Sequence, residues 1–558
     1  MKRMCLSLCL AVSIGTLITG CNGKSGSSPS NVTSSGTAMG AQPQKVETLS
    51  IDTVEQNAAN TKVADEVCIA LGYDLSDLAP WSSATAGRNT VLPLLYEYMA
   101  YYDPHSPTGI AGILMDSYER VDGLTARFTV RDNVYDSAGN HLTADDVAFC
   151  FNQWKQNGKS VKCKLLESAT AIDPYTVELK LTKDTVGDVE NMLCGLVPIV
   201  TRAAFEASTD GMVEHVVSTA PYKIGEFISG SHLTLVKRDD YWQTDDSQKQ
   251  KVQYANAKKI TYKIITESFQ VPINLETNTI DITSQMNLKD AARFNEGGES
   301  AKGYKVYGIK DTNFYWMTFN CDPNVGAFTG NQKLRQAIAY AVDKQGLVVG
   351  VLSGGGEKVH AYATDICVDY QPQWNEENYY DYDVVKAKQL VTESGFDTSK
   401  SLRIMCPNAT IAKNTAQIVQ SYLLQIGLKS EILSYDSALF QTYKTEPTQW
   451  DIMIDSKMSN DYVTSLASTF EVSGKARALN FVDDPKLQDM VTNVVTSAGH
   501  TTENVNEYME YLKDQAYVIG LFVPYQYYAV EDTILGIFTN FKSYLLPNAC
   551  TYSTAFVR

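Results

Sequence analysis

The spacing of apolar residues predicts its elements most clearly over residues 401–433. The run LRIMCP predicts a strand. Ile411, Thr415, Ile418, Val419, Tyr422, Leu423 and Ile426 then fall on one face of a helix, Gly427 supplies a stop, and LKSEIL predicts the next strand. A strand, helix, strand order predicts an α/β lobe, because the helix carries the chain back to start a parallel neighbour. A second helix is predicted over residues 334–346 (LRQAIAYAVDKQG), with Leu334, Ala337, Ile338, Ala341 and Val342 on its buried face. A third begins at Thr143, where T-A-D-D offers a capping-box-like start to the stripe Val147, Cys150, Phe151 and Trp154. Packing of an apolar face explains all three. Strand-like and helix-like segments alternate to the end of the chain, without a solenoid-type repeat.

A different pattern opens the chain. Lys2 and Arg3 precede an apolar run over residues 10–20 that is too short to span a bilayer, and the run ends in Ile18-Thr19-Gly20-Cys21. This resembles the signal and lipobox of a bacterial lipoprotein. The resemblance implies removal of residues 1–20 and a lipid on the sulfur of Cys21. Residues 21–60, rich in Ser, Gly, Thr, Ala and Asn, predict a flexible tether. The rest of the chain is then expected at the outer face of the cytoplasmic membrane, on the cell surface or in a periplasm according to the envelope.

With 558 residues the chain exceeds what one core usually fills, so at least two lobes are expected. Its formal net charge of −17 makes the general surface poorly suited to nucleic acid or anionic lipid, but names no ligand. Beyond the leader no apolar run is long enough to predict a membrane span. Eight cysteines lie beyond Cys21, scattered from Cys68 to Cys550 with no C-x-x-C spacing, which leaves buried thiols and one or two disulfides both open.

The motifs of common enzymes are absent. There is no G-x-S-x-G elbow, no H-E-x-x-H and no G-x-x-x-x-G-K-[ST]; the run Gly354-Gly355-Gly356 lacks the Lys and hydroxyl residue that a phosphate loop requires. His105, His141, His215, His232, His360 and His500 are far apart and show no ligand spacing. The expectation is a binding protein, without catalytic residues, cofactor or protein-bound metal.

Several segments in order resemble the extracellular solute-binding proteins of ABC importers, family 5, which bind peptides, dipeptides and nickel complexes. FTVRDNVYDSAGNHLTADDVAFCFNQW from Phe128 resembles the family's F-x-L-R-x-G-V-x-F-x-D-G-x-P-L-T-A-x-D-V signature, with Asn133-Val134 in place of Gly-Val. VVSTAPYKIGEFISGSHLTLVKRDDYW from Val216 resembles its G-T-G-P-Y-x-L strand pair, with Ser218-Thr219-Ala220 in place of Gly-Thr-Gly. LLYEYMAYYDP from Leu94, INLETNTIDIT from Ile273, the segment from Phe319 to Gly356 and YDVVKAKQLVTESGF from Tyr382 follow in the family's order. The resemblance implies a two-lobed α/β fold of the periplasmic-binding-protein type (type II, large cluster C), with a hinge between lobes and an extra subdomain in the first. Lobe I would span residues 61–310, including the extra subdomain at about 92–198, lobe II residues 311–520, and residues 521–558 would return to lobe I. The hinge would lie near residues 313–319 and 519–525.

The resemblance also implies an extended peptide held between the lobes, delivered by a monomeric receptor to ABC permease subunits and, through them, to an ATPase. Many relatives hold the peptide's amino group on an aspartate of a second-lobe loop, which here corresponds to WDIMIDSKMSNDYVTSLASTF from Trp450. Aligned without gaps, Met458 occupies the anchor's place and Asp461 the first position of the family's D-P-D element; Asp455 lies on the same loop. Asp461 and Asp455 are therefore the candidate amine anchors, with a helix N-cap as the competing role for Asp461. Tyr96, Tyr98, Tyr315, Trp316 and Trp450 are candidate cleft-lining rings, while Arg335 is expected to be structural. An oligosaccharide, a chelated nickel ion or a sensor role without transport are the alternatives.

Overall fold

The computed structural model describes residues 47–48, 60–75, 77–81, 88–103, 106, 108–158, 160–295, 297–376, 380–458, 462–472, 479–540 and 543–558. The leader, Cys21, nearly all of the expected tether, and Asp461 lie outside these residues. Residues Gln44–Arg558 form one compact unit. Its principal sheet joins, in order, residues Glu47–Thr48, Tyr304–Lys310, Val518–Glu531, Asn313–Phe319, Ile452–Met458, Ser401–Pro407 and Lys429–Tyr435, with Gly356–Lys358 also paired to Val518–Glu531.

The fourteen-residue strand Val518–Glu531 ties the molecule together. Its first part pairs with Asn313–Phe319 and its last part with Tyr304–Lys310. One apolar core collects residues from Phe314 to Val523, and another collects residues from Ala64 to Tyr262 together with residues 534–556. These two larger cores mark the two lobes, and a third, smaller core packs Ala70, Leu275 and Phe294 with Val306, Tyr527 and Ala529. The chain crosses between the lobes at residues 311–312 and 523–525, just before the first expected hinge segment and at the end of the second, where the Asp311 N–H donates to the Pro524 carbonyl at 2.9 Å.

The second lobe contains the strand, helix, strand unit that the apolar spacing predicts. Ser401–Pro407 and Lys429–Tyr435 run parallel around the helix Thr410–Gln425, which ends before Gly427 at φ +84°. A left-handed residue costs glycine little, so the chain can reverse there. The segment expected to be one helix over 334–346 is two helices, Gln332–Ala341 and Lys344–Leu352. The break comes from Asp343, whose carboxylate accepts the Gly346 N–H at 2.8 Å and so caps a new helix instead of continuing the old one.

In the first lobe a four-stranded sheet orders Tyr222–Ile228, His232–Lys237, Lys259–Ile264 and Val67–Leu71. A second, antiparallel sheet of Met115–Asp122, Thr125–Val130, Thr176–Leu181 and Leu166–Asp173 carries the helix Ala144–Asn157. That helix buries the expected Val147, Cys150, Phe151 and Trp154, and at its start the Thr143 N–H donates to Asp146 at 2.8 Å. All eight cysteines from Cys68 to Cys550 are buried and outside any disulfide, in keeping with the thiol alternative. Among the described residues no helix is long and apolar enough to cross a membrane.

Candidate ligand-binding cleft

In open α/β sheets, ligands collect at the carboxyl ends of strands, where side chains and turn backbone converge. In the first lobe Val67–Leu71 ends at such a point. Gly72, Tyr73, Thr90, Ser284, Gln285, Tyr528 and Tyr544 line a cavity of about 180 Å³ there. Tyr73 and Thr90 share a hydrogen bond of 3.0 Å, and the Tyr528 hydroxyl donates to the Ser543 carbonyl at 3.2 Å. Burial pushes the Tyr73 phenol up to about 12, so the ring presents a neutral hydroxyl. The wall is aromatic and polar with no fixed charge among these side chains.

The second lobe offers the carboxyl ends of Ser401–Pro407, Lys429–Tyr435 and Ile452–Met458, which are parallel and so share one edge. After Pro407 the chain turns through Asn408, whose N–H donates to Tyr435 at 2.7 Å, into the helix Thr410–Gln425. That helix starts at Ala409, which offers no side-chain cap. A cavity of about 290 Å³ lies beside the crossing strands, lined among others by Lys310, Glu357, Lys358, His360, Thr364, Asp365 and Tyr370. Lys310 reaches from the end of its strand to Asp365 and Glu357, each at 2.8 Å, and Tyr525 donates to Glu357. Burial works against the Lys310 charge, but the bonds to Asp365 and Glu357 outweigh it and hold the ammonium above its usual pKa.

Away from the crossings the lobes touch directly. The Val186 N–H donates to the Val495 carbonyl at 2.9 Å, and Lys183 pairs with Glu471 at 2.6 Å. Asp184 accepts the Ser497 N–H at 3.0 Å and its hydroxyl at 2.6 Å, while Arg120 donates to both Asp184 and Ser497. All the first-lobe groups here belong to the antiparallel sheet or the turn that follows it.

The candidate side chains separate into several settings. Cross-strand pairing puts Trp316 opposite Asp455 and Tyr315 opposite Ser456, so Tyr315, Trp316 and Asp455 do come together. Trp316 is only 1% exposed, and its ring packs edge-on to Tyr362. Tyr315 stays half-buried and stacks on Phe522 at 5.0 Å. Asp455 is buried and already holds the Lys444 ammonium at 2.6 Å, which gives its charge a partner within the protein. Trp450 is fully enclosed against Phe481, two residues before the strand Ile452–Met458 begins.

Tyr96 is fully buried too, with its hydroxyl donating to Leu78 at 2.9 Å. Tyr98 is half-buried beside it, on a cavity of about 40 Å³ that includes Glu97. Burial raises the Glu97 pKa against bonds from Tyr241, Trp242 and Gln253 at 2.6–2.9 Å, a first-lobe network satisfied from within. In this structure Trp316, Trp450 and Tyr96 are buried side chains, and Tyr96 borders the same small cavity as Tyr98. Arg335 is structural as expected, spending its donors on Phe328 and Gln515 under the Tyr517 ring.

Sequence reasoning missed Tyr73, Gln285 and Tyr544, which come from three separate segments and meet only through the fold. It also missed Lys457. Cross-strand pairing puts Lys457 opposite Phe314, and its ammonium donates to the Thr469 hydroxyl. The available signal was a cation at the penultimate position of the strand IMIDSKM.

Residues 109–476 match the family described as "Bacterial extracellular solute-binding proteins, family 5 Middle". The oligopeptide-binding protein AppA of Bacillus subtilis is 21% identical over 486 residues, which are 79% of this chain and 83% of that protein. The glutathione-binding protein GsiB of Escherichia coli is 22% identical over 67% of this chain and 70% of its own. The crystal structure of the ABC transporter substrate-binding protein CtaP of Listeria monocytogenes superposes with a TM-score of 0.73 at 19% identity, covering 88% of this chain and 100% of that one.

Proposed function

This chain belongs to the bacterial extracellular solute-binding proteins of family 5, and from that premise we propose that it is the receptor of an ABC importer that captures peptides between its lobes. The observation that supports this reading is the pair of strand-end edges, a neutral aromatic and polar wall in the first lobe and an exposed turn at residues 408–410 in the second. Such walls suit an extended main chain, which needs hydrogen-bond partners along its length and tolerant space for varied side chains. AppA and GsiB, by name an oligopeptide-binding and a glutathione-binding protein, support a peptidic solute.

In this proposal Tyr315 and Tyr98 contribute cleft surface, and Asp461 is the remaining acidic anchor, since Asp455 is held by Lys444. The lobes divide near residue 310 and again near residue 520, where the crossings act as the hinge. Turning a mostly open receptor into a mostly closed one takes about 5 kcal/mol of preference for the closed form. Several main-chain hydrogen bonds, each worth about 0.5–1.5 kcal/mol, are sufficient. A lipid on Cys21 holds the monomer at the outer face of the cytoplasmic membrane, where permease subunits receive the closed form.

The test is native mass spectrometry of the purified protein against a mixed peptide library, with oligosaccharides and chelated nickel as competitors. One peptide retained per chain supports the proposal. Retention of sugar or metal in preference to every peptide replaces the substrate while leaving the fold untouched.

A further inference from the structure

Beside the bond between Val186 and Val495, a ring from the second lobe enters a notch in the first. Tyr462 leads into the short helix Val463–Ala467 and is half-buried, with its ring against Gly187. A Cβ at Gly187 would fall 3.0 Å from Tyr462 Cε2 and closer still to Cδ2, so no side chain fits there while the ring is in place. At the hydroxyl end of the ring, a Cβ at Gly109 would fall 3.4 Å from the Tyr462 oxygen and 3.3 Å from Cγ1 of Val368, another second-lobe residue. Both glycines belong to the first lobe. Gly187 ends the turn after the antiparallel sheet, and Gly109 precedes the strand Ile110–Gly112. Bare backbone thus forms the notch that the ring fills.

The second lobe holds the ring from behind. One oxygen of the Asp369 carboxylate accepts the Val463 N–H at 2.5 Å, and the other pairs with His500 Nε2 at 2.9 Å. The His500 ring in turn lies edge-on to Tyr462 at 5.5 Å. These supports belong to the same lobe as Tyr462, so the ring keeps them when the lobes part and loses only Gly187 and Gly109. We propose that Tyr462 is a positioning residue for solute capture, a catch that seats in the notch of Gly187 and Gly109 as the lobes close and slows release of the enclosed solute. The inference rests on the reading of the two lobes as closing around their solute. A contact made in the closed form alone lowers the release rate and leaves the capture rate unchanged.

The experiment measures association and release rates of tri-alanine on the full chain for wild type, Tyr462→Ala, Gly187→Ala and the double variant, with thermal unfolding of each. Gly187 has φ +81°, so alanine is strained there in the open and closed forms alike; that strain lowers stability without changing the balance between them. The clash with the ring exists only in the closed form. The inference predicts release at least fivefold faster in Tyr462→Ala, with association within twofold of wild type. It also predicts that Gly187→Ala speeds release at least tenfold in wild type but less than twofold when Tyr462 is already alanine, a coupling that a merely structural role for either residue does not produce. Unchanged release in Tyr462→Ala overturns the inference, and that variant decides alone if Gly187→Ala fails to fold. An equal effect of Gly187→Ala in both backgrounds also overturns it. Should tri-alanine not bind, the peptide reading is judged by its own library test and the free protein decides this one, through photocrosslinking of Tyr462→p-benzoylphenylalanine. Attachment to the chain around Gly109 or Gly187 sustains the catch; attachment confined to second-lobe residues overturns it.

Discussion

Replacing Asp184 with alanine removes the acceptor at the centre of the direct contact between lobes. Its carboxylate takes the Ser497 N–H at 3.0 Å and the Ser497 hydroxyl at 2.6 Å, and it orients Arg120. Hydrogen bonds to an enclosed charge contribute about 1.5–3 kcal/mol. Asp184 keeps 24% of its side-chain surface exposed, so solvent screens it toward the roughly 0.2–1 kcal/mol of a surface ion pair. Two cross-lobe bonds discounted in this way stabilise the closed arrangement by about 0.4–2 kcal/mol, or roughly 2- to 30-fold. Apparent solute affinity should fall by that factor if the free protein is mostly open, and by less if it is already closed. Titration with a bound peptide, alongside energy transfer between labels on the two lobes, measures both quantities. A variant that melts with wild type yet keeps its affinity and its energy transfer would refute the assigned role of this contact.

Lys444→Met leaves the Asp455 carboxylate buried without its cation and should cost about 1–3 kcal/mol in urea unfolding, whereas Lys444→Arg should cost much less. Trp450→Phe should lower stability by about 1–2 kcal/mol and leave solute affinity within twofold, because the ring is fully enclosed in the second-lobe core. Lys344 is buried with its ammonium on the Val359 carbonyl at 2.9 Å, and burial pushes its pKa from 10.5 to about 7. The unfolded chain then binds more protons between about pH 7 and 10.5, so this group makes stability rise with pH across that window and leaves it flat below. Lys344→Met removes a penalty with a ceiling of ~5 kcal/mol at neutral pH, reduced to about 2–3 kcal/mol by the lost hydrogen bond. Its gain over wild type in chemical unfolding should fade toward pH 10, and a gain independent of pH would contradict the assignment.

Local pattern carried the elements whose causes are local. The helix Thr410–Gln425 was legible because its stripe, its glycine stop and its flanking strands lie within one stretch of chain. The break at Asp343 was not, since a carboxylate inside a continuous apolar stripe can face solvent or cap a new helix, and only the position of the Gly346 N–H decides between them. The site was less legible than the fold. Aromatic identity does not separate a core ring from a cleft ring, and Trp316, Trp450 and Tyr96 lie within the core. Asp455 looked available because its partner, Lys444, comes from the end of the preceding helix.

Hydrogen exchange read by mass spectrometry, with and without a peptide that the protein retains, tests most directly whether solute is held between the lobes. The account predicts slowed exchange on both walls at once, at residues 72–73 and 284–285 in the first lobe and at residues 407–410 and 455–458 in the second. Protection confined to one lobe, or to a surface remote from both strand edges, would contradict it.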